Sequence, residues 1–319
     1  MTRPVPDFHD LAPAIEDDFR AAVREGLAGR PRGLSPKFFY DERGSELFDA
    51  ICEQPEYYPT RAEMAILEAI GPEVAALAGS ESVLVELGSG ASRKVRLMLD
   101  ALQPVGYLGV DISREFLLTC TQRLAEDYPW LQVSAACVDY SGEFQLPLAP
   151  GQTPLAFFPG SSIGNFHPEE ARGLLRRIHR ALGPGAGLLI GVDTRKDKAV
   201  LDAAYNDAAG VTAAFNLNLL ERMRRELGAR LDPAGFDHHA FYNEDAGRVE
   251  MHLRSRGPQT IEVDGAFHRF EDGETIHTEC SYKYAPEEFR AMAAEAGYTT
   301  ERTWLDEDGL FSVHFLRAV

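Results

Sequence analysis

An apolar run, Val83-Leu84-Val85-Glu86-Leu87, leads into a turn with glycines at 88 and 90, and a second apolar run ends at Asp111, 21 residues after Gly90. A strand, a glycine turn, a helix and a second strand closing on a carboxylate make up the nucleoside-binding half of a doubly wound α/β sheet, with the acid placed to grip ribose hydroxyls. A dinucleotide fingerprint would carry a third glycine at position 93, which is Arg93 here. Glu86 also puts negative charge beside the turn, where a pyrophosphate needs an unopposed helix N-terminus. An acidic turn suits a cation, so the expected cofactor is the sulfonium S-adenosyl-L-methionine. The alternatives are a nicotinamide or flavin dinucleotide, or a loop that binds nothing.

The rest of the chain supports an α/β class. Val95, Met98, Leu99 and Leu102 recur at helical spacing after the turn and mark a helix face that packs on a sheet. Strands are expected at Ser82–Leu87, Gly106–Asp111, Gln132–Val138, Leu155–Phe158 and Gly187–Val192, alternating with helices. From about Thr194 to Tyr284 that rhythm breaks. Helical patterns run from Lys198 to Leu227, followed by strand patterns at Arg248–Arg254, Gln259–Val263 and Thr275–Tyr282. A helix from Pro286 to Gly297 then precedes strands Thr299–Leu305 and Leu310–Arg317 around the turn Asp306-Glu-Asp-Gly309. A closing hairpin puts an antiparallel strand into a parallel sheet, the arrangement of Rossmann-like class I methyltransferases.

Upstream, an amphipathic helix is expected from Asp10 to Leu27, followed by two aromatic clusters around Phe38-Phe39-Tyr40 and Tyr57-Tyr58. The domains expected are therefore a donor-binding domain over 61–193 and 285–319, and an α+β substrate-binding lobe over 1–60 and 194–284.

Composition narrows the partners. With 50 acidic against 32 basic residues the net charge is −18, which repels nucleic acid and anionic membrane. A small-molecule substrate is the expectation. No apolar stretch reaches membrane-span or signal-peptide length, and the four cysteines, Cys52, Cys120, Cys137 and Cys280, form no Cys-x-x-Cys. A soluble, cytoplasmic, monomeric protein with reduced thiols is expected. Nine histidines include the neighbours His238 and His239 but no metal-ligand spacing, so no metal is expected.

Ligands of open α/β sheets lie beyond the carboxyl ends of the strands. Gly88 and Gly90 would admit the aminoacyl part of the donor, Asp111 the ribose, and Asp139 and Tyr140 the adenine amine and ring. Lys94 could meet the donor carboxylate. After the fourth strand, Pro159-Gly160-Ser161-Ser162-Ile163-Gly164-Asn165 offers small residues where a methyl acceptor would lie. Methyl transfer needs in-line approach and a deprotonated amine, with no metal and no covalent nucleophile.

Four long blocks carry a resemblance: Pro36-Lys-Phe-Phe-Tyr-Asp-Glu-Arg-Gly-Ser-Glu-Leu-Phe48, Pro55-Glu-Tyr-Tyr-Pro-Thr-Arg-Ala-Glu63, Gly160-Ser-Ser-Ile-Gly-Asn165 and Ala203 through Asn216. Together they resemble the histidine Nα-methyltransferases of ergothioneine biosynthesis over nearly the whole chain. The resemblance implies three methyl transfers to the α-amine of L-histidine, giving hercynine. It implies Asn165 and Tyr205 at the substrate carboxylate, and Tyr57, Glu279 and Ser281 around the imidazole. Met251 would pack on the ring, Phe48 would wall the pocket, and Tyr40, Gly160 and Ser162 would surround the amine. Where the family motif reads Gly-Ser-Thr-Ile-Gly-Asn, Ser162 replaces the threonine and keeps its hydroxyl. The alternatives are another aromatic amino acid, such as tryptophan, on the same scaffold, and a catalytically silent protein that binds the donor.

Overall fold

The computed structural model describes residues 6–11, 18–89, 93–140, 142–149 and 151–319. The chain opens with β1 (Asp7–Asp10), α1 (Asp18–Ala28), β2 (Arg32–Gly33), α2 (Glu42–Cys52) and α3 (Tyr58–Ala78). Strands and helices then alternate: β3 (Ser82–Leu87), α4 (Arg93–Leu102), β4 (Gly106–Asp111), α5 (Arg114–Asp127), β5 (Gln132–Cys137), β6 (Thr153–Phe158), α6 (Pro168–Leu182) and β7 (Gly187–Asp193). Next come α7 (Lys198–Ala204), α8 (Val211–Leu227), β8 (Phe236–Asn243), β9 (Arg248–Ser255), β10 (Gln259–Val263), β11 (Ala266–Phe270) and β12 (Thr275–Tyr282). The chain closes with α9 (Pro286–Glu295), β13 (Tyr298–Leu305) and β14 (Phe311–Ala318).

Two compact units form, one from residues 1–14, 61–194 and 284–319 and the other from 15–60 and 195–283. The first is an eight-stranded sheet in the order β1-β5-β4-β3-β6-β7-β14-β13. Strands β1 and β3 to β7 run parallel, and β14 lies antiparallel between β7 and β13. Every residue of β3 is buried, as a central strand covered on both faces requires. Val95, Met98, Leu99 and Leu102 form the buried face of α4, as their spacing predicts. Strand order reverses at β3, which makes its carboxyl end the ligand-binding crevice of such a sheet.

The second unit centres on a four-stranded sheet, β2-β12-β9-β8, with a separate β10-β11 hairpin. Its N-terminal segment is tied to the rest of the unit through the parallel pairing of β2 with β12, the Phe39–Phe215 ring contact at 4.5 Å and a hydrogen bond from Asn218 Nδ2 to Asp41 Oδ1 at 2.8 Å. Asn216, fully buried on α8, locks that helix onto the sheet. Its amide donates to His238 Nδ1 at 2.9 Å and to His252 O at 3.0 Å, and its Oδ1 accepts from Thr278 Oγ1 at 2.8 Å.

Several expectations need correction. Asp10 ends a strand rather than starting a helix, and the helix described there begins at Asp18, with residues 12–17 outside the described set. Because β1 pairs with β5, residues 7–10 belong to the large sheet, although the sequence places all of 1–60 in the substrate lobe. The helical patterns over 198–227 form two helices, with residues 205–210 between them and Gly210, at φ 73°, capping the second. Strands β8 and β11 carried no expectation, since histidines and charges blur their alternation. All four cysteines are free thiols.

Candidate active site

In the first unit, the turn after β3 is held by backbone and side chain together. Gly88 takes φ 74°, a left-handed conformation that glycine adopts at little cost, and the N–H groups of Gly88 and Ser89 both donate to Val110 O at 2.9 Å. Glu86 is fully buried beneath the turn and accepts from Tyr107 Oη at 2.6 Å and Ser89 Oγ at 3.1 Å. A Cβ at Gly109 would stand 2.8 Å from Ser89 Oγ, so the neighbouring strand needs glycine to leave room for this network. Glu86 therefore braces the turn from within the sheet.

Asp111 ends β4, where burial pushes its carboxyl up to about 6 even as Ser113 N donates to it at 2.8 Å. Asp139 and Tyr140 follow β5. The Tyr140 hydroxyl lies 3.5 Å from where a Gly88 Cβ would be, and its ring meets Phe158 edge-on at 6.4 Å. The Tyr140 hydroxyl thus stands near the glycine turn. Gly90 lies outside the described residues.

Lys94, expected at the donor carboxylate, lies in an ion pair. Its ammonium pairs with Glu63 Oε2 at 2.7 Å, and Glu63 is wholly buried. The same carboxylate accepts from Gly160 N at 3.0 and 2.9 Å through its two oxygens. Gly160 has φ 80° and opens the loop that carries Ser162 and Asn165, the two ends of a short 3₁₀ turn. Ser162 Oγ donates to Pro159 O at 3.0 Å, and Asp193 N donates to Ser161 Oγ at 2.9 Å. Glu63 closes the second of the four family-like blocks, yet sequence reading assigned it no task.

In the second unit the expected substrate residues form a connected set. Tyr40 contacts Phe48 at 5.6 Å between ring centroids, Phe48 contacts Tyr57 at 6.4 Å, and Tyr57 contacts Tyr205 at 6.4 Å. Phe215, which sequence reading missed, joins Tyr40 and Phe48 at 5.7 and 6.1 Å. Tyr205 follows α7, and its backbone carbonyl is 2.9 Å from His238 Nε2. Since Asn216 donates to His238 Nδ1, Nε2 carries the proton and donates. Lys283, 1% exposed, donates to Tyr205 Oη at 3.1 Å and to Ser281 Oγ at 2.9 Å.

Glu279 and Ser281 sit two apart on β12, opposite Met251 and Val249 of β9. A register shift between His277 and Glu279 turns the two onto different faces, so Glu279 shares the Met251 face while His277 stays with His252. Burial pushes the Glu279 carboxyl up to about 7, with the Lys283 charge pulling the other way. Desolvation likewise holds the Tyr57 hydroxyl well above the usual tyrosine range.

A model of the family described as "Histidine-specific methyltransferase, SAM-dependent" matches residues 19–318. The chain belongs to this family. Histidine N-alpha-methyltransferase of Mycolicibacterium smegmatis is 40% identical, covering 95% of each chain, and that of Mycobacterium tuberculosis is 41% identical over 92% of this chain and 93% of its own. An L-tryptophan methyltransferase of Psilocybe serbica is 28% identical over 94% of this chain and 92% of its own. The methyl donor of this methyltransferase family is S-adenosylmethionine. Residues at the crevice fit such a donor: Gly88 in a left-handed turn conformation, the Tyr140 hydroxyl near it, and a desolvated carboxyl at the next strand end.

On the opposite face of the methyltransferase's four-stranded sheet, Glu250, His252 and His277 bring ligand-type atoms within 4.8 Å of one another. The sequence shows no metal-ligand spacing because these groups meet only through the pairing of β9 with β12. The Glu250 carboxylate accepts from Arg248 Nε at 2.9 Å, Asn243 Nδ2 at 3.0 Å and His252 Nε2 at 3.1 Å, so a guanidinium already supplies its counter-charge. Burial holds His252 below the usual histidine range and His277 down to about 4. Among the described residues, no helix is long and apolar enough to cross a membrane.

Proposed function

We propose that the protein transfers three methyl groups in succession from S-adenosylmethionine to the α-amine of L-histidine, yielding hercynine for ergothioneine biosynthesis. Beside family membership, the observation that carries this reading is the β12 pair. Glu279 and Ser281 are both buried, on the face shared with Met251, and can bond the two ring nitrogens of an imidazole. A buried site built for those bonds rejects rings that lack them.

In this reading Tyr57 completes the ring's surroundings, Met251 packs on its face, and Phe48 and Tyr40 supply the apolar wall. Tyr205 and Asn165 hold the substrate carboxylate, and Gly160 and Ser162 attend the amine. Gly88, Gly90, Asp111, Asp139 and Tyr140 hold the donor, while Glu86 shapes the turn from behind. Lys94 meets the donor carboxylate, set in place by its pair with Glu63, whose carboxylate also accepts from Gly160 N. Bound S-adenosylmethionine supplies an electrophilic methyl. The chain's residues hold the amine for in-line attack and keep water out. Each transfer leaves an ammonium that must lose a proton before the next.

Incubation with S-adenosylmethionine and a panel of amino acids, followed by mass spectrometry, tests the reading. Mono-, di- and trimethylated histidine are expected. Absence of any methylated histidine sinks the proposal, and faster turnover of tryptophan would hand the pocket to an indole.

A further inference from the structure

Lys283 belongs to none of the roles above, yet it is one of the largest wholly buried side chains in the protein. Burying an ammonium is costly unless its donors are used. Two of its donors go to Ser281 Oγ and Tyr205 Oη, side chains already assigned to the substrate.

We propose that Lys283 is the positioning residue that sets ring specificity, by committing the Ser281 hydroxyl to act as a donor beside the Glu279 acceptor. This rests on the proposed histidine reading and deepens it. An ammonium can only donate, so Ser281 must accept from it through a lone pair and direct its single proton elsewhere. Glu279, two residues back on the same face, is an acceptor when ionised, and the Lys283 charge favours that form. The two groups then offer one acceptor and one donor side by side. A neutral imidazole presents the matching N–H and lone pair. An indole has only an N–H and leaves the Ser281 proton unanswered, which is costly in a buried site.

Lys283→Met tests this, since it keeps much of the side-chain length and removes every donor. Steady-state kinetics on histidine and tryptophan should show the histidine KM rising roughly 3- to 10-fold, the worth of a neutral hydrogen bond from Ser281 to the ring that is no longer held in direction. Histidine kcat should move far less, because ground-state binding is what is lost. The preference for histidine over tryptophan should narrow. S-adenosylhomocysteine affinity, measured by calorimetry, should stay at the wild-type value. In a cycle with Ser281→Ala, the double variant should be little worse than the worse single one. If Lys283→Met fails to fold, Lys283→Gln, which retains one donating amide, should give an intermediate KM.

A histidine KM within twofold of wild type overturns the inference, as do effects of the two substitutions that simply multiply. A fall in kcat and thermal stability with selectivity intact also overturns it, by assigning Lys283 a purely structural task. Wild-type protein that methylates no histidine overturns the functional reading as well, so the two failures are told apart.

Discussion

Asp111 and Glu279 are carboxyls that burial lifts to about 6 and about 7, and each therefore reports on its proposed ligand through pH. Ribose hydroxyls donate to a carboxylate, so donor binding favours ionised Asp111. S-adenosylhomocysteine affinity should accordingly tighten as pH rises from about 5 to about 7, and Asp111→Asn should weaken binding and flatten that dependence. Calorimetry across this range checks it, and a wild-type Kd independent of pH would remove Asp111 from the donor site. Glu279 has a stability consequence of definite sign. Its folded value lies above the ordinary 4.5, so the native state holds its proton longer than the unfolded chain, and stability falls as pH rises from about 4.5 through about 7. Glu279→Gln should lessen that fall in a thermal-unfolding series over the same range. It should also raise the histidine KM roughly 10- to 100-fold, because a neutral amide is a poorer partner for a ring N–H. Loss of the KM effect with the stability effect intact would make Glu279 an ordinary buried acid.

Helices and strands reach the loops they serve through single buried groups, and Glu63 on α3 is the plainest case. It binds Lys94 of α4 and Gly160 of the loop after β6, and its Oε1 stands 1.9 Å from where a Gly191 Cβ on β7 would lie. Glu63→Ala should cost about 3–5 kcal/mol in urea unfolding, since it strands a largely buried ammonium. Gly191→Ala should also destabilise by driving a methyl into the carboxylate. A loss under about 1 kcal/mol for Glu63→Ala would mean that Lys94 finds water instead. None of this was legible in the sequence, where a lone Glu in a helix reads as solvated. Apolar runs fixed β3 and β4 to the residue, because strands buried on both faces leave no other pattern. Edge strand β1, Asp-Phe-His-Asp, has no such pattern and exists through its pairing with β5. The register shift near Thr278 was equally hidden: plain alternation puts His277, Glu279 and Ser281 on one face, whereas the shift sends the histidine to the other.

For the whole molecule, the chain's order in sequence differs from its order in space. The second unit is assembled from residues 15–60 and 195–283, and the pairing of β2 with β12 joins the two stretches. The family-like blocks were readable as separate motifs, but their assembly was not, since spacing along the chain carries no information about which distant segments pair. That division makes ligand ownership testable. S-adenosylhomocysteine should slow amide hydrogen exchange around Gly88, Asp111 and Tyr140 in the first unit, because ordering the turn and strand ends raises the free energy of local opening. Histidine added to the loaded protein should slow exchange around Tyr205 and along Glu279 to Lys283 in the second. Each ligand binds the native state alone, so protection should rise with its concentration as mass action requires and saturate near the calorimetric Kd. Protection of β12 by S-adenosylhomocysteine alone, at concentrations that leave the Gly88 turn unchanged, would remove the Gly88 turn from the donor site.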